Sequence, residues 1–161
     1  MNSQRLQIYL NDHLAGMVSE VELAERCKGN NSGQEVADFL VQLLADVRIH
    51  QMAAKDVLKR LGGQESAIKQ GIAWLGEKMG RLKLNDSLTQ YSELSRVVEL
   101  EGLLLAAQLR LALWELLENV LSPDPRFSDV QFATLREQAR RHLETVNSYR
   151  LAAGREAFVT L

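Results

Sequence analysis

Only two prolines occur in the chain, Pro123 and Pro125, and they sit two residues apart. Everywhere else the backbone keeps its amide donors, so long helices are interrupted only where glycine or turn chemistry intervenes. The residue bias points the same way. Leucine and alanine fill 44 positions, whereas valine, isoleucine and threonine together fill 20, which favours helix over sheet. The sequence therefore reads as an all-α chain, and its 161 residues suffice for one hydrophobic core without a disulfide or structural metal. A single domain over residues 1–161 is expected.

Helix punctuation divides the chain into four long segments and one short one. The first, over about 4–28, ends at Lys28-Gly29, a basic last turn followed by a glycine suited to a left-handed cap. Ser32 and Glu35 have capping-box spacing and open a second helix that stops at Gly62-Gly63. Its apolar positions Val36, Leu40, Leu43, Val47, Ala54, Val57 and Leu61 advance by threes and fours, with His50 taking one slot. A short helix is expected over 65–79, then an irregular connection over Arg81–Tyr91. Ser92 caps the next helix, which runs to about Leu121. After the prolines, Ser128 with Gln131 opens a last helix reaching about Ala153, with a fraying tail beyond Gly154.

The four long segments match in length, and the short links at 29–32 and 122–127 make two antiparallel hairpins. About 30 residues separate the hairpins, enough to travel the length of a bundle and set the second and fourth segments parallel. The expected architecture is a ferritin-like four-helix bundle with one long crossover carrying a short fifth helix. A plain up-down bundle with the short helix as a lid is the alternative.

Composition narrows the function. Nineteen basic and 21 acidic residues, without long runs, leave no electrostatic footprint for nucleic acid. The longest charge-free stretch in the Leu-rich region, Gly102–Leu109, is too short for a membrane span. The N-terminus lacks the apolar block of a secretory signal, and the lone Cys27 suits a reducing compartment, so a cytoplasmic location is expected. Cys27 closes a helix C-terminus and reads as a partly exposed, inert thiol. Lys78, Arg81 and Lys83 form a cationic group beside Trp74 that reads as pinning the crossover to the bundle.

The candidate chemistry lies in polar residues on apolar faces. His13, His50 and His142 each occupy a slot in a helical apolar stripe, with Glu20 two turns beyond His13 and Asp46 one turn before His50. The fourth segment in chain order has two polar stripes: Glu99 with Arg110, and opposite them Glu101, Gln108, Glu115 and Asn119. Glu101 is taken as the inward carboxylate. A metal site would thus use Glu20, Asp46, His50, Glu101 and His142, a donor set suited to iron or manganese. Against it, no Glu-x-x-His occurs, the motif that di-iron carboxylate bundles carry on two helices. Phosphate loops, nucleophile elbows and His-Glu-x-x-His are absent as well.

The run Tyr9-Leu10-Asn11-Asp12-His13-Leu14-Ala15-Gly16, the triplet Glu22-Leu23-Ala24, Trp74 with Glu77-Lys78-x-Gly80-Arg81-Leu82-Lys83, and Leu94-Ser95-Arg96-x-x-Glu99-x-Glu101 resemble an uncharacterised group of small bacterial proteins with a ferritin-like helical bundle. The resemblance covers residues 7–121 and implies a fold more than an activity. That group carries an acidic Glu-Asp pair on its second helix, where this chain has Ile49-His50. The expected function is accordingly a bundle without a complete di-iron site and without a cofactor, acting through protein contacts or by holding a ligand. The alternative is a metal-binding oxidoreductase or storage protein using the five residues above. The leucines of the fourth segment, Leu109, Leu113 and Leu116, either face other helices of the same bundle or bury a homo-oligomer interface, since the segment is apolar over more than one face.

Overall fold

A computed structural model describes residues 1–65 and 91–159. Four long helices account for most of them: α1 (Ser3–Asn30), α2 (Glu35–Arg60), α3 (Glu93–Leu121) and α4 (Phe132–Val159). No strand occurs among the described residues. The short helix expected over 65–79, most of the irregular connection and the group around Trp74, Lys78, Arg81 and Lys83 lie outside the described residues.

Local chemistry explains most helix boundaries. The Asn2 side chain accepts from Arg5 N–H at 3.1 Å and starts α1. Ser92 and Ser95 exchange side chain and backbone in a capping box that starts α3. Gly62, at φ +78°, stops α2 in the left-handed region where a Cβ would be strained. Four expected boundaries differ. Ser32 stays in the turn and α2 begins after Gln34, which makes no side-chain cap bond. Ser128 instead ends a single 3₁₀ turn, Pro125–Phe127, and α4 begins at Phe132. Gly29 remains helical, α1 closing on Asn31, and α4 runs past Gly154 to Val159. Asn31 replaces the glycine cap by folding its own amide onto the Cys27 carbonyl.

Side-chain pairs fix the helix directions. Gln7 reaches the Leu61 carbonyl, so α1 and α2 are antiparallel. Arg26 with Glu99 and Glu20 with Arg110 set α1 antiparallel to α3. Arg60 with Asp129 and Asp46 with His142 set α2 antiparallel to α4. Arg96 with Glu156 and Arg140 with Glu115 do the same for α3 and α4. Hence α2 and α3 run parallel on opposite corners, as do α1 and α4. The described chain leaves α2 at one end of the bundle and re-enters at Tyr91 at the other.

Leu10, Leu40, Leu43, Leu100, Leu103, Leu113, Trp114 and Leu117 fill the middle of the core with no exposed surface. Four polar side chains are buried in the same layer: Glu20, His50, Arg110 and His142. A fully apolar layer would pack as well, so this one carries the information about what the interior does.

Candidate functional site

Arg110 is the hub. It enters the core because it continues the face of α3 formed by Leu103, Ala107, Trp114 and Leu117, all buried. Its Nε and Nη2 donate to the two oxygens of Glu20, at 2.8 and 2.9 Å, a bidentate pair whose side chains are 2% and 1% exposed. Its Nη1 faces the Nδ1 of His142 at 3.2 Å and of His50 at 3.4 Å. Trp114 Nε1–H also donates to His50 Nδ1, at 2.8 Å.

These contacts assign the histidine protons. An Nδ1 that accepts from a guanidinium or an indole carries no proton, so each ring is neutral with its proton on Nε2. From there His50 donates to Gln138 Oε1 at 3.3 Å and His142 to Asp46 Oδ2 at 3.0 Å. Asp46 also accepts from Gln42. Burial and the Arg110 charge push His50 down to about 3. Burial, again reinforced by Arg110, pushes His142 down to about 4 although Asp46 pulls the other way. Both histidines are held uncharged next to a permanent cation.

Four of the five candidate metal residues, Glu20, Asp46, His50 and His142, are thus brought together, from α1, α2 and α4. Glu101 is not among them. Its side chain is 51% exposed and faces Arg150 at 3.5 Å. The two polar stripes of α3 are real, but with the opposite orientation: Glu99 and Arg110 point inward, while Glu101 and Glu115, with nearby Glu118, line up with Arg150, Arg140 and Arg136 on α4. Arginines on the facing helix solvate that edge, so a carboxylate there has no reason to enter the core. Arg110, Trp114 and Gln138 also belong to the site, although the sequence gives them no metal-ligating role. The signal for Arg110 was its place between Ala107 and Trp114 on an apolar face.

The donor set does not suit a metal ion as it stands. A metal competes for the lone pairs of Glu20 and of each Nδ1, and all three are already turned toward the Arg110 cation. Among the described residues no group of three or more His, Cys, Asp or Glu side chains is placed to hold a metal. His13 stays apart, its ring tilted against Tyr9 at 4.4 Å between ring centroids, its basicity lowered by burial.

A second inward polar group closes the end where α1 meets α3. Glu99 accepts from Arg26 at 2.8 Å, Asn30 at 3.3 Å and Tyr91 Oη at 2.9 Å, and Tyr91 accepts from Asn31. Cys27 lies beneath it with no exposed surface, rather than partly exposed. Burial, with the Glu99 charge nearby, pushes its thiol up to about 12, the opposite of activation. No described helix is long and apolar enough to cross a membrane. Neither of two shallow surface grooves, one beside Val120 and one beside Gly63, is lined by a residue of the Arg110 network. No family model matches the chain, and no curated protein or solved structure matches it either.

Proposed function

We propose that this chain is a ferritin-like helical bundle whose interior is closed by a guanidinium where a metal-binding bundle holds its cation, and that it acts through protein contacts rather than redox or storage chemistry. The up-down-down-up order of the helices, with α2 and α3 parallel, is the order that a single long crossover produces and supports the ferritin-like assignment. One observation carries the functional reading. Arg110 takes both oxygens of Glu20 and faces the Nδ1 of both His50 and His142, so the residues best placed to ligate iron or manganese are committed to an internal ion pair.

The outer surface supports the second half of the reading. Large apolar side chains stand exposed along α3, in contrast to the charged edge that α3 shares with α4. The test is metal analysis of untagged protein after growth with added iron and manganese, and after reconstitution with each ion. Traces well below one ion per chain are expected. An ion bound stoichiometrically and lost on Glu20→Ala or His50→Ala would overturn the proposal in favour of the metal-dependent alternative.

A further inference from the structure

Leu105, Leu109, Leu116 and Val120 are exposed by 57, 52, 39 and 42%. Their spacing of four, seven and four residues puts them in one stripe on the outside of α3. Ala112 fills the gap in the middle, and no charged residue interrupts the stripe. Leu113 does not share this surface; it is fully buried. The stripe is symmetric end to end: Leu105 and Val120 lie equally far from the midpoint between Ala112 and Leu113, and so do Leu109 and Leu116. A surface of that kind complements itself when a second copy is laid antiparallel across it.

The neighbouring surface of α1 obeys the same symmetry. Pairing of Glu20 with Arg110 and Arg26 with Glu99 fixes the register of α1 on α3. In that register Arg5 lies level with the C-terminal end of the stripe, where it lines an apolar groove with Met1, Tyr9 and Val120. Glu22, one turn before Arg26, lies level with Leu105 at the other end. A two-fold axis through the middle of the stripe therefore sets Arg5 of one copy beside Glu22 of the other, twice, and seats Leu105 against the groove. Both residues are exposed, and neither makes an ion pair within the described chain. From Met1 to Arg26 this two-helix face is about 37 Å long and about 20 Å wide, roughly 740 Å², close to the ~800 Å² per partner of a standard stable interface.

We infer that a second copy of this chain covers the face formed by α1 and α3, as an antiparallel two-fold dimer centred between Ala112 and Leu113. The inference rests on the reading that the chain works through protein contacts, and it names the first partner. Sedimentation equilibrium of the full chain between about 1 and 100 μM tests it. A mass of twice 18.1 kDa is expected. Leu109→Glu, at a site exposed in the single chain, should weaken the dimer at least tenfold while the far-UV circular dichroism stays unchanged. Arg5→Glu should weaken it severalfold, and adding Glu22→Arg should restore it.

A monomer over the whole range would overturn the inference, whether the stripe then serves another protein or another part of the same chain. A dimer indifferent to Leu109→Glu, or a charge swap that fails to rescue, would overturn it too. These failures are separable from failure of the functional reading, because metal content decides the latter independently of mass.

Discussion

Removing the Glu20 carboxylate should be among the most damaging single changes this chain can suffer. Arg110 cannot respond by losing its proton, since a guanidinium stays charged at any workable pH. Glu20→Ala therefore leaves a cation in a site where the side chain is 2% exposed, with only neutral imidazole nitrogens facing it. Breaking one partner of a buried pair typically costs about 3–5 kcal/mol. For a domain of this size that corresponds to a fall in melting temperature of roughly 6–20 °C. The mirror change, Arg110→Met, should cost less at pH 5 than at pH 7, because the stranded carboxylate can take up a proton. Replacing both partners, Glu20→Leu with Arg110→Met, should recover most of the loss, since apolar pairs of similar volume substitute well for buried ion pairs. Urea titrations followed by far-UV circular dichroism measure all three variants. A loss below about 1 kcal/mol for Glu20→Ala, or a double variant no better than that single one, would refute the idea that an uncompensated buried charge governs the stability of this core.

The histidines make stability depend on pH in a definite direction. Both have folded-state values below the unfolded value of about 6.5, so their contribution is complete above pH 6.5 and is lost as pH falls toward about 4 for His142 and about 3 for His50. Each should contribute a slope of about 0.7 kcal/mol per pH unit at 6.5, approaching about 1.4 a unit lower. Urea midpoints at pH 7.0, 6.0 and 5.2, above the range where ordinary carboxylates titrate, should show this slope, and His142→Gln should remove somewhat less than half of it, because His13, also lowered by burial, adds its own share. Cys27, fully buried and with its thiol held protonated, should react with a disulfide reagent only as fast as the protein opens. Full labelling within minutes in native buffer, with the helical spectrum intact, would contradict that placement.

Helix identity was legible because apolar spacing is a repeated signal: α2 shows His50 in line with Leu43, Val47, Ala54 and Val57, and the structure buries that whole row. The length of the crossover permits parallel α2 and α3 but permits an up-down bundle as well, and only the side-chain pairs decide between them. Helix ends were harder, since a capping residue competes with equally suitable neighbours. Ser92 won at α3, but Ser32 and Ser128 lost to turn geometry that depends on how the hairpins pack. The site was legible in its acceptors and missed in its donor. Glu20, His50 and His142 stand out as polar residues on apolar faces, and Arg110 contacts all three. Arg110 lies on an equally apolar face, but its angular pairing with Glu99 does not by itself say which of the two polar stripes of α3 faces inward. The wrong stripe was then turned inward, which sent Glu101 into a core it does not enter.

That single reversal also explains what the polar layer contributes beyond stability. The apolar faces of the four helices are built largely from leucine, and leucine faces can pair in more than one arrangement at similar cost. Arg110 cannot. It extends from α3 and requires the carboxylate of α1 on one side and the imidazoles of α2 and α4 on the other. Sliding any helix by one turn, about 5.4 Å, would strand the guanidinium or a ring nitrogen without a partner, at a cost of several kcal/mol. Exchanging the α1 and α4 corners would present Asp46 and Glu20 to the wrong neighbours. One residue touching the other three helices thus selects a single register and topology from the alternatives that leucine packing leaves open.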